Sequence, residues 1–181
     1  MQKLFKKKIK RIGVLGGTFD PPHKGHLYIS KIGLNKLKLN KLIWIITKRN
    51  PFKNKPYLKT ETRIKLSKKL IKKESKIFIK FLDNKIKSRN TFDLLKYLKH
   101  RNKKEKLFFL IGEDNLVNFH KWKNWEKIPK LAKIVVFPRS NYSIKAKNSI
   151  ALKKLDKKDL IYINSKKINI SSSFIKKYLL K

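Results

Sequence analysis

The hydrophobic residues of the chain fall into short apolar runs, which are separated by longer stretches that mix apolar and charged residues. Nearly continuous apolar runs of this kind are typical of strands in a parallel sheet that is buried on both faces. We therefore predict strands at residues 12–15, 42–47, 77–81, 107–111, 134–137 and 161–163.

The stretches between these runs have helical spacing. One predicted helix spans about residues 24–38 and the next spans about residues 60–73, whereas a third begins at Thr91, whose hydroxyl suits an N-cap. The apolar faces of the first two helices are Leu27, Ser30, Leu34 and Leu37, and Ile64, Leu66, Leu70 and Ile71. Alternating strands and helices with short links indicate a doubly wound α/β domain with a mostly parallel sheet of five to six strands. Residues 145–158 are predicted as loop and short helix on the outside.

The first strand runs into a loop with unusual chemistry, Gly-Gly-Thr-Phe-Asp-Pro-Pro-His-Lys-Gly-His at residues 16–26. This loop follows the carboxyl end of a strand, where open α/β sheets bind ligands. The helix that begins near His23 offers free N–H groups and a positive dipole end, which attract phosphate. His23 and His26 can donate hydrogen bonds to phosphoryl oxygens and, because histidine titrates near neutral pH, can also carry positive charge.

Two other interpretations of the histidines remain open at this point. A pair spaced i, i+3 suits zinc, but the chain has no cysteine and no third ligand at suitable spacing. The second interpretation is that both are ordinary surface histidines without a functional role. The loop lacks the spacing of a P-loop and of a dinucleotide-binding Gly-x-Gly-x-x-Gly motif.

Charge is the most unusual feature of the composition, with a formal net charge of +39 over 181 residues. Such an excess favours nucleic acid or anionic surfaces as partners. The lysines are nevertheless spread along the whole chain, together with many Ile, Asn and Phe residues that share A/T-rich codons. We attribute the charge to base composition and keep nucleic-acid binding as a non-specific side effect.

The rest of the composition excludes several classes of protein. Hydrophobic residues make up 40% and aromatic residues 11% of the chain, which excludes a disordered protein. The absence of cysteine excludes disulfides and thiolate chemistry. No apolar run has the length of a membrane span, and the basic residues 1–11 lack the apolar region of a signal peptide. We expect one domain, residues 1–181, in the cytoplasm and without membrane association.

The loop at residues 16–26 resembles a known signature. H-x-G-H after G-G-T-F-D-P is similar to the motif of the nucleotidylyltransferase superfamily, and the whole loop resembles that of the nicotinate-nucleotide adenylyltransferases. The resemblance implies a Rossmann-like domain in which His23 and His26 are catalytic and act on the phosphates of ATP. It also assigns Gly16, Gly17, Thr18, Phe19 and Gly25 to ATP binding and Asp20 to substrate binding.

Two further segments match the family in part. In the loop at residues 47–56, Lys53 matches a basic position that handles the mononucleotide phosphate, although an ordinary solvated basic loop explains the other cations. Thr91 matches the threonine of the family's S-Y-T-x-D-T-L helix start, which faces the nicotinate carboxylate. Arg89 and Asn90 depart from that motif, so Arg89 is an alternative ligand and a simple helix cap explains Thr91 equally well.

The fourth predicted strand ends in Gly112-Glu113-Asp114. A carboxylate at this edge can accept hydrogen bonds from ribose hydroxyls, so we assign Asp114 to ATP binding. We assign Gly112, at the end of the strand, to substrate binding. The resemblance extends to Trp122, which in the family stacks on the pyridine ring, whereas we assign Trp125 to packing.

The C-terminal segment Ile-Ser-Ser-Ser-Phe-Ile-Lys resembles the superfamily's I-S-S-T-x-I-R, where a second helix end holds ATP phosphates. This assigns Ser171, Ser172, Ser173 and Lys176 to ATP binding, in a helix at residues 171–181 that completes the site. Lys176 replaces arginine and provides a point charge in place of a planar fork. The turn at residues 138–142 is similar to the family's R-P-G-Y turn in a scrambled form.

The resemblance as a whole implies transfer of adenylyl from ATP to nicotinate mononucleotide, giving nicotinate adenine dinucleotide and pyrophosphate in NAD synthesis. Mg²⁺ is expected to enter with ATP, without a protein metal site, and the protein to be a monomer or homodimer. Alternatives are adenylyl transfer to phosphopantetheine or nicotinamide mononucleotide. A basic nucleic-acid-binding protein on a nucleotide-binding fold is the alternative from another class.

Overall fold

A computed structural model describes residues 9–52, 54–165 and 175. Within them, the strands form one parallel sheet in the order β3-β2-β1-β4-β5-β6. The strands are β1 (Arg11–Gly17), β2 (Lys41–Ile46), β3 (Ile77–Phe81), β4 (Lys106–Gly112), β5 (Lys133–Phe137) and β6 (Leu160–Tyr162). Each lies within two residues of its predicted bounds at either end, and the predicted fold class is confirmed.

Helices connect the strands. They are α1 (Lys24–Lys36), α2 (Thr60–Leu70), α3 (Asp83–Ile86), α4 (Thr91–Arg101), α5 (Glu113–Val117), α6 (Ser143–Lys147) and α7 (Ile150–Lys154), with 3₁₀ turns at Phe119–Lys121, Trp125–Lys130 and Lys157–Asp159. Thr91 is the first helical residue of α4 and Asn90 is its N-cap, so the predicted cap is displaced by one residue. No helix among the described residues is long and apolar enough to cross a membrane.

The core consists of two apolar clusters, one on each face of the sheet. Neighbouring strand residues point to opposite faces, so that Val14 belongs to one cluster and Leu15 to the other. The helix α1 approaches the sheet closely at Gly33, where an added Cβ would lie 2.9 Å from Cδ2 of Leu110. The four inner strands β2, β1, β4 and β5 are thus buried on both faces, as the apolar runs predict. The two edge strands are not, because Phe78 of β3 is 48% exposed and Tyr162 of β6 is 45% exposed.

Two surface predictions need correction. The buried residues of α2 are Arg63 and Ser67, whereas Leu66, predicted on the apolar face, is 37% exposed. Residues 145–158 do not lie wholly on the outside, because Ala146 and Ala151 are completely buried in the core. Small side chains at these two positions let the short helices α6 and α7 pack against α5.

The direction in which the chain crosses the sheet changes between β1 and β4. The strands β1, β2 and β3 follow one another to one side, and β4, β5 and β6 follow one another to the other side. A doubly wound sheet binds its ligand in the crevice that this reversal creates at the carboxyl ends of the strands. The loops after β1 and β4 therefore define the place of the site.

Candidate active site

A cleft of about 1210 Å³ lies at the carboxyl edge of the sheet. It is lined by most of the residues that the sequence predicts: Gly16, Gly17, Thr18, Phe19, Asp20, His23, Gly25, His26, Thr91, Gly112, Asp114 and Trp122. The other predicted site residues, Lys53, Ser171, Ser172, Ser173 and Lys176, lie outside the described residues. Residues that are up to about a hundred positions apart in the sequence therefore share one cavity.

The two histidines at the start of α1 face each other, with 3.8 Å between their ring centroids. His23 is the N-cap, and its backbone N–H donates to Nδ1 of His26 at 3.2 Å. Because that hydrogen bond uses Nδ1 as an acceptor, the neutral ring of His26 carries its hydrogen on Nε2. The backbone thus fixes one nitrogen of His26 as a donor.

His23 is only 7% exposed. Burial, assisted by the positive charge of Arg139, lowers the pKa of His23 to about 4, so this ring is neutral at pH 7 in this structure. The expected positive charge near neutral pH therefore does not apply to His23. Its Nδ1 is enclosed by protein atoms, and its side chain forms a capping box with the backbone of His26.

Buried aromatic rings pack against His26. The ring of Phe19 lies 4.6 Å from that of His26 and 4.9 Å from that of Trp44. Nε1 of Trp44 donates to Oγ of Ser30, and that hydroxyl donates in turn to the carbonyl of His26, at 2.8 and 2.7 Å. The first turn of α1 is therefore held by a buried layer and does not depend on solvent-exposed contacts.

Asp20 is 1% exposed, and both of its carboxylate oxygens accept hydrogen bonds from the chain that enters α2. The donors are the backbone N–H groups of Tyr57 and Leu58, each at 2.8 Å. The carboxylate thus connects the loop after β1 with the loop after β2. Its assignment as a substrate ligand stays a prediction.

A second wall of the cleft is charged. Nε of Arg139 lies 3.4 Å from Oδ1 of Asp114, which is the second residue of α5 after its N-cap Gly112. Glu113 is buried and accepts from the backbone N–H of Arg139 at 2.8 Å and from Oγ of Ser143 at 3.0 Å. A Cβ at Gly112 would collide with Oδ1 of Asp114 and press on the Arg139 side chain, so a larger residue there would have to displace this pair.

Arg139 is a site residue that we did not predict from the sequence, although the sequence contains a motif that indicates it. Arg139 and Tyr142 have the spacing of the first and last residues of R-P-G-Y. Asn141 occupies the glycine position with a φ of 66°, in the left-handed region that glycine and asparagine tolerate best. Asn141 thus gives this turn a backbone shape that glycine also allows, and Arg139 of the same turn lines the cleft.

Trp122 and Thr91 also line the cleft. The ring of Trp122 packs 5.0 Å from that of Phe119 and 6.1 Å from that of Phe109. Trp125 meets Phe119 edge-on at 6.2 Å and does not line this cleft. The structure thus separates the two tryptophans as the sequence analysis does.

The chain is similar to proteins of one known family. Residues 14–178 match the model of the cytidylyltransferase-like family. The chain belongs to that family. A protein of Pelagibacter ubique (strain HTCC1062), named probable nicotinate-nucleotide adenylyltransferase, is 48% identical over 94% of both chains. A protein of Clostridium tetani with the same name is 33% identical over 96% of this chain and 88% of its own. The family that the histidine loop indicates is confirmed.

Solved structures of the family agree with the fold. The Plasmodium falciparum nicotinic acid mononucleotide adenylyltransferase complexed with NaAD superposes with a TM-score of 0.78 at 27% identity. The match covers 94% of this chain and 84% of that one. The same enzyme complexed with APC gives a TM-score of 0.75 at 26% identity, with the same coverage.

Proposed function

We propose that the protein transfers the adenylyl group of ATP to nicotinate mononucleotide and releases pyrophosphate, as a step of NAD synthesis. The observation that carries the proposal is the pair of facing histidines at the start of α1, of which His23 is buried and His26 is oriented by a backbone hydrogen bond. The names of the similar proteins and the NaAD complex of the Plasmodium enzyme support the choice of mononucleotide.

The proposed reaction is a direct in-line displacement. An oxygen of the mononucleotide phosphate forms a bond to the α-phosphorus of ATP, and the bond from that phosphorus to the oxygen bridging to the β-phosphorus breaks. Pyrophosphate leaves with the bond electrons. Phosphoryl transfer of this kind depends on positioning and on stabilisation of charge, so the chain needs no covalent nucleophile.

We assign the two histidines to the phosphate oxygens of ATP. Nε2–H of His26 is a preoriented donor, and we assign the ring of His23, whose centroid lies 3.8 Å from that of His26, as the second donor. Both lie where the dipole and the free N–H groups of α1 favour negative charge. Because an anion favours the charged form of imidazole, the triphosphate raises the pKa of His23 when it binds.

The charged wall completes the ATP site in this proposal. Asp114 accepts from the ribose hydroxyls, and Arg139 contributes a guanidinium, which binds phosphate oxygens in a bidentate manner. Trp122 offers a flat surface for the pyridine ring. We keep the sequence-based assignments to ATP of Gly16, Gly17, Thr18, Phe19 and Gly25, and to the mononucleotide of Thr91 and Gly112, because all of them line the cleft. Lys53, Ser171, Ser172, Ser173 and Lys176 stay sequence predictions.

Mg²⁺ is proposed as a companion of ATP. Among the described residues, no three His, Asp or Glu side chains are grouped so that they could hold a metal ion. Mg²⁺ prefers oxygen ligands and often uses substrate phosphates for them, so the nucleotide itself can supply its ligands.

The proposal is tested by measuring pyrophosphate release from ATP with nicotinate mononucleotide, nicotinamide mononucleotide and phosphopantetheine in parallel. We expect kcat/KM to be highest with nicotinate mononucleotide. A higher value with either of the other acceptors would change the substrate, and no release with any of them would contradict the enzyme assignment. Salt-dependent binding of RNA under the same conditions would then favour the nucleic-acid-binding alternative.

A further inference from the structure

Arg63 is a buried arginine on the inner face of α2 and is only 1% exposed. Its guanidinium donates to four main-chain carbonyls and one hydroxyl, at distances of 2.5 to 3.1 Å. The acceptors are the carbonyl oxygens of Thr18, Thr47, Lys48 and Leu58, and Oγ1 of Thr60. A full set of donors in a fixed planar fork is available from arginine alone, because lysine has three donors on one atom.

These acceptors belong to the two loops that form one end of the cleft. We call residues 18–23 the histidine loop and residues 47–59 the second loop. Thr18 belongs to the histidine loop, whereas Thr47, Lys48 and Leu58 belong to both ends of the second loop. One side chain therefore contacts the histidine loop and closes the second loop upon itself.

Asp20 makes the same connection in the opposite direction. It belongs to the histidine loop and accepts from the backbone N–H groups of Tyr57 and Leu58 in the second loop. The negative charge of Asp20 also offsets the effect of burial, which lowers the pKa of Arg63. The two loops are therefore joined by a cation from one side and an anion from the other, each bonded to main-chain atoms.

Neither side chain is needed in this form to complete the apolar core. A buried charge is costly unless it is well hydrogen-bonded, and a hydrophobic residue of similar volume often stabilises a protein as much or more. What the pair provides is a fixed geometry between two loops that line the cleft. This geometry matters for catalysis, since a displacement of about 1 Å can lower a rate about 100-fold.

We propose that Arg63 and Asp20 are positioning residues, which lock the histidine loop to the second loop and so hold His23 and His26 in place. This inference rests on the proposed adenylyl transfer and deepens it. It also gives Asp20 a role in loop geometry, whereas the sequence resemblance assigns it to substrate binding. Loss of the lock lowers kcat more than it raises the KM of either substrate, because the misplaced histidines act on the reacting phosphates.

The chain offers a matched control in Arg11. Nε of Arg11 donates to the carbonyl of Leu37 at 2.7 Å, and its guanidinium lies 4.5 Å from the ring centroid of Phe108. Arg11 begins β1, so it lies at the opposite edge of the sheet from the cleft. Arg11→Lys removes a structural arginine contact without touching either loop.

The experiment compares Arg63→Lys, Asp20→Asn and Arg11→Lys in the full chain. Three quantities are measured: stability in urea, kcat and KM for adenylyl transfer, and hydrogen exchange at the amides of Tyr57 and Leu58. For Arg63→Lys and Asp20→Asn we expect kcat to fall about 10- to 100-fold and exchange at both amides to accelerate. For Arg11→Lys we expect kcat within about twofold of the wild type and unchanged exchange, whatever stability is lost.

Two results would overturn the inference. The first is a fall of kcat in Arg63→Lys no larger than in Arg11→Lys. The second is normal exchange at Tyr57 and Leu58 in Asp20→Asn combined with a raised substrate KM, which would return Asp20 to substrate binding. If Arg63→Lys does not fold, the nearly isosteric Asp20→Asn still tests whether the contact between the two loops controls kcat. If the wild type transfers no adenylyl group, the proposed function fails, and exchange at the two amides still tests the lock.

Discussion

The two main walls of the cleft are built in different ways. The histidine wall is formed by His23 and His26 over the rings of Phe19 and Trp44, and its contacts include hydrogen bonds donated by the backbone N–H of His23 and by the indole N–H of Trp44. The charged wall is formed by Asp114 and Arg139, whose side chains are 19% and 25% exposed and whose contact is a longer 3.4 Å. A buried wall is preorganised and needs no rearrangement during reaction, whereas a hydrated ion pair can adjust to a ligand.

From this difference we infer which kinetic constant each wall controls. Fixed donors that stabilise charge developing in the transition state raise kcat. Charged groups that meet the nucleotide before reaction contribute to its binding. We therefore expect damage to the histidine wall to appear in kcat and damage to the charged wall to appear in the KM for ATP.

The largest expected effect is that of His26→Ala. Removing one preorganised donor typically lowers kcat by about 10²- to 10³-fold, and the KM for ATP is expected to change much less. Steady-state kinetics of pyrophosphate release measure both constants. The matched control is His100→Ala, at an exposed histidine in the last turn of α4, which should behave as the wild type. Near-normal turnover of His26→Ala would contradict the role of this wall.

The next effect concerns Arg139→Gln, which keeps the length of the side chain in part and removes its charge. A hydrogen bond to a charged group contributes about 1.5 to 3 kcal/mol, so the KM for ATP should rise about 10- to 100-fold. Binding of ATP measured by calorimetry should weaken in parallel. Arg101→Gln, at the exposed end of α4, serves as the control. If Arg139→Gln binds ATP normally and only its kcat falls, the charged wall does not control the KM for ATP and this prediction is wrong.

A smaller effect is expected in the pH dependence of stability. The pKa of His23 is about 4 in the folded protein and about 6.5 when unfolded, so the unfolded chain takes up this proton first as the pH falls. The stability that the neutral ring provides is complete above pH 6.5 and is lost progressively towards pH 4. Between pH 7 and pH 5 this single group should lower the free energy of unfolding by about 2 kcal/mol.

Urea unfolding of the wild type and of His23→Asn at both pH values isolates this contribution. The variant lacks the titrating ring, so its stability should fall less between pH 7 and pH 5, whatever its stability at pH 7. Equal losses in the two proteins would show that His23 is accessible to protons in the folded state, and the histidine wall would then not be a buried one.

The parts of the fold that depend on local pattern could be predicted from the sequence. The strand at residues 77–81 is found with the same bounds, because its apolar run is short and clearly delimited. The loop at residues 16–26 could also be predicted, since its glycines, prolines and histidines lie in one short stretch of sequence. Both features are determined within about ten residues of chain.

The features that the sequence did not reveal depend on contacts between distant segments. Arg63 looks like one more surface cation in a chain with 50 lysines and arginines. Its burial depends on carbonyl groups about 15 and 45 residues away, which no periodicity records. Arg139 enters the cleft because Glu113 holds its backbone, and this contact too is visible only in three dimensions.

The reversal of chain direction between β1 and β4 has a further consequence. The histidine wall belongs to the half of the sheet made by the earlier part of the chain, and the charged wall belongs to the half made by the later part. These halves adjoin along the pairing of β1 with β4. A nucleotide that contacts both walls therefore contacts both halves of the sheet. Its binding free energy then stabilises the folded protein across the boundary between β1 and β4.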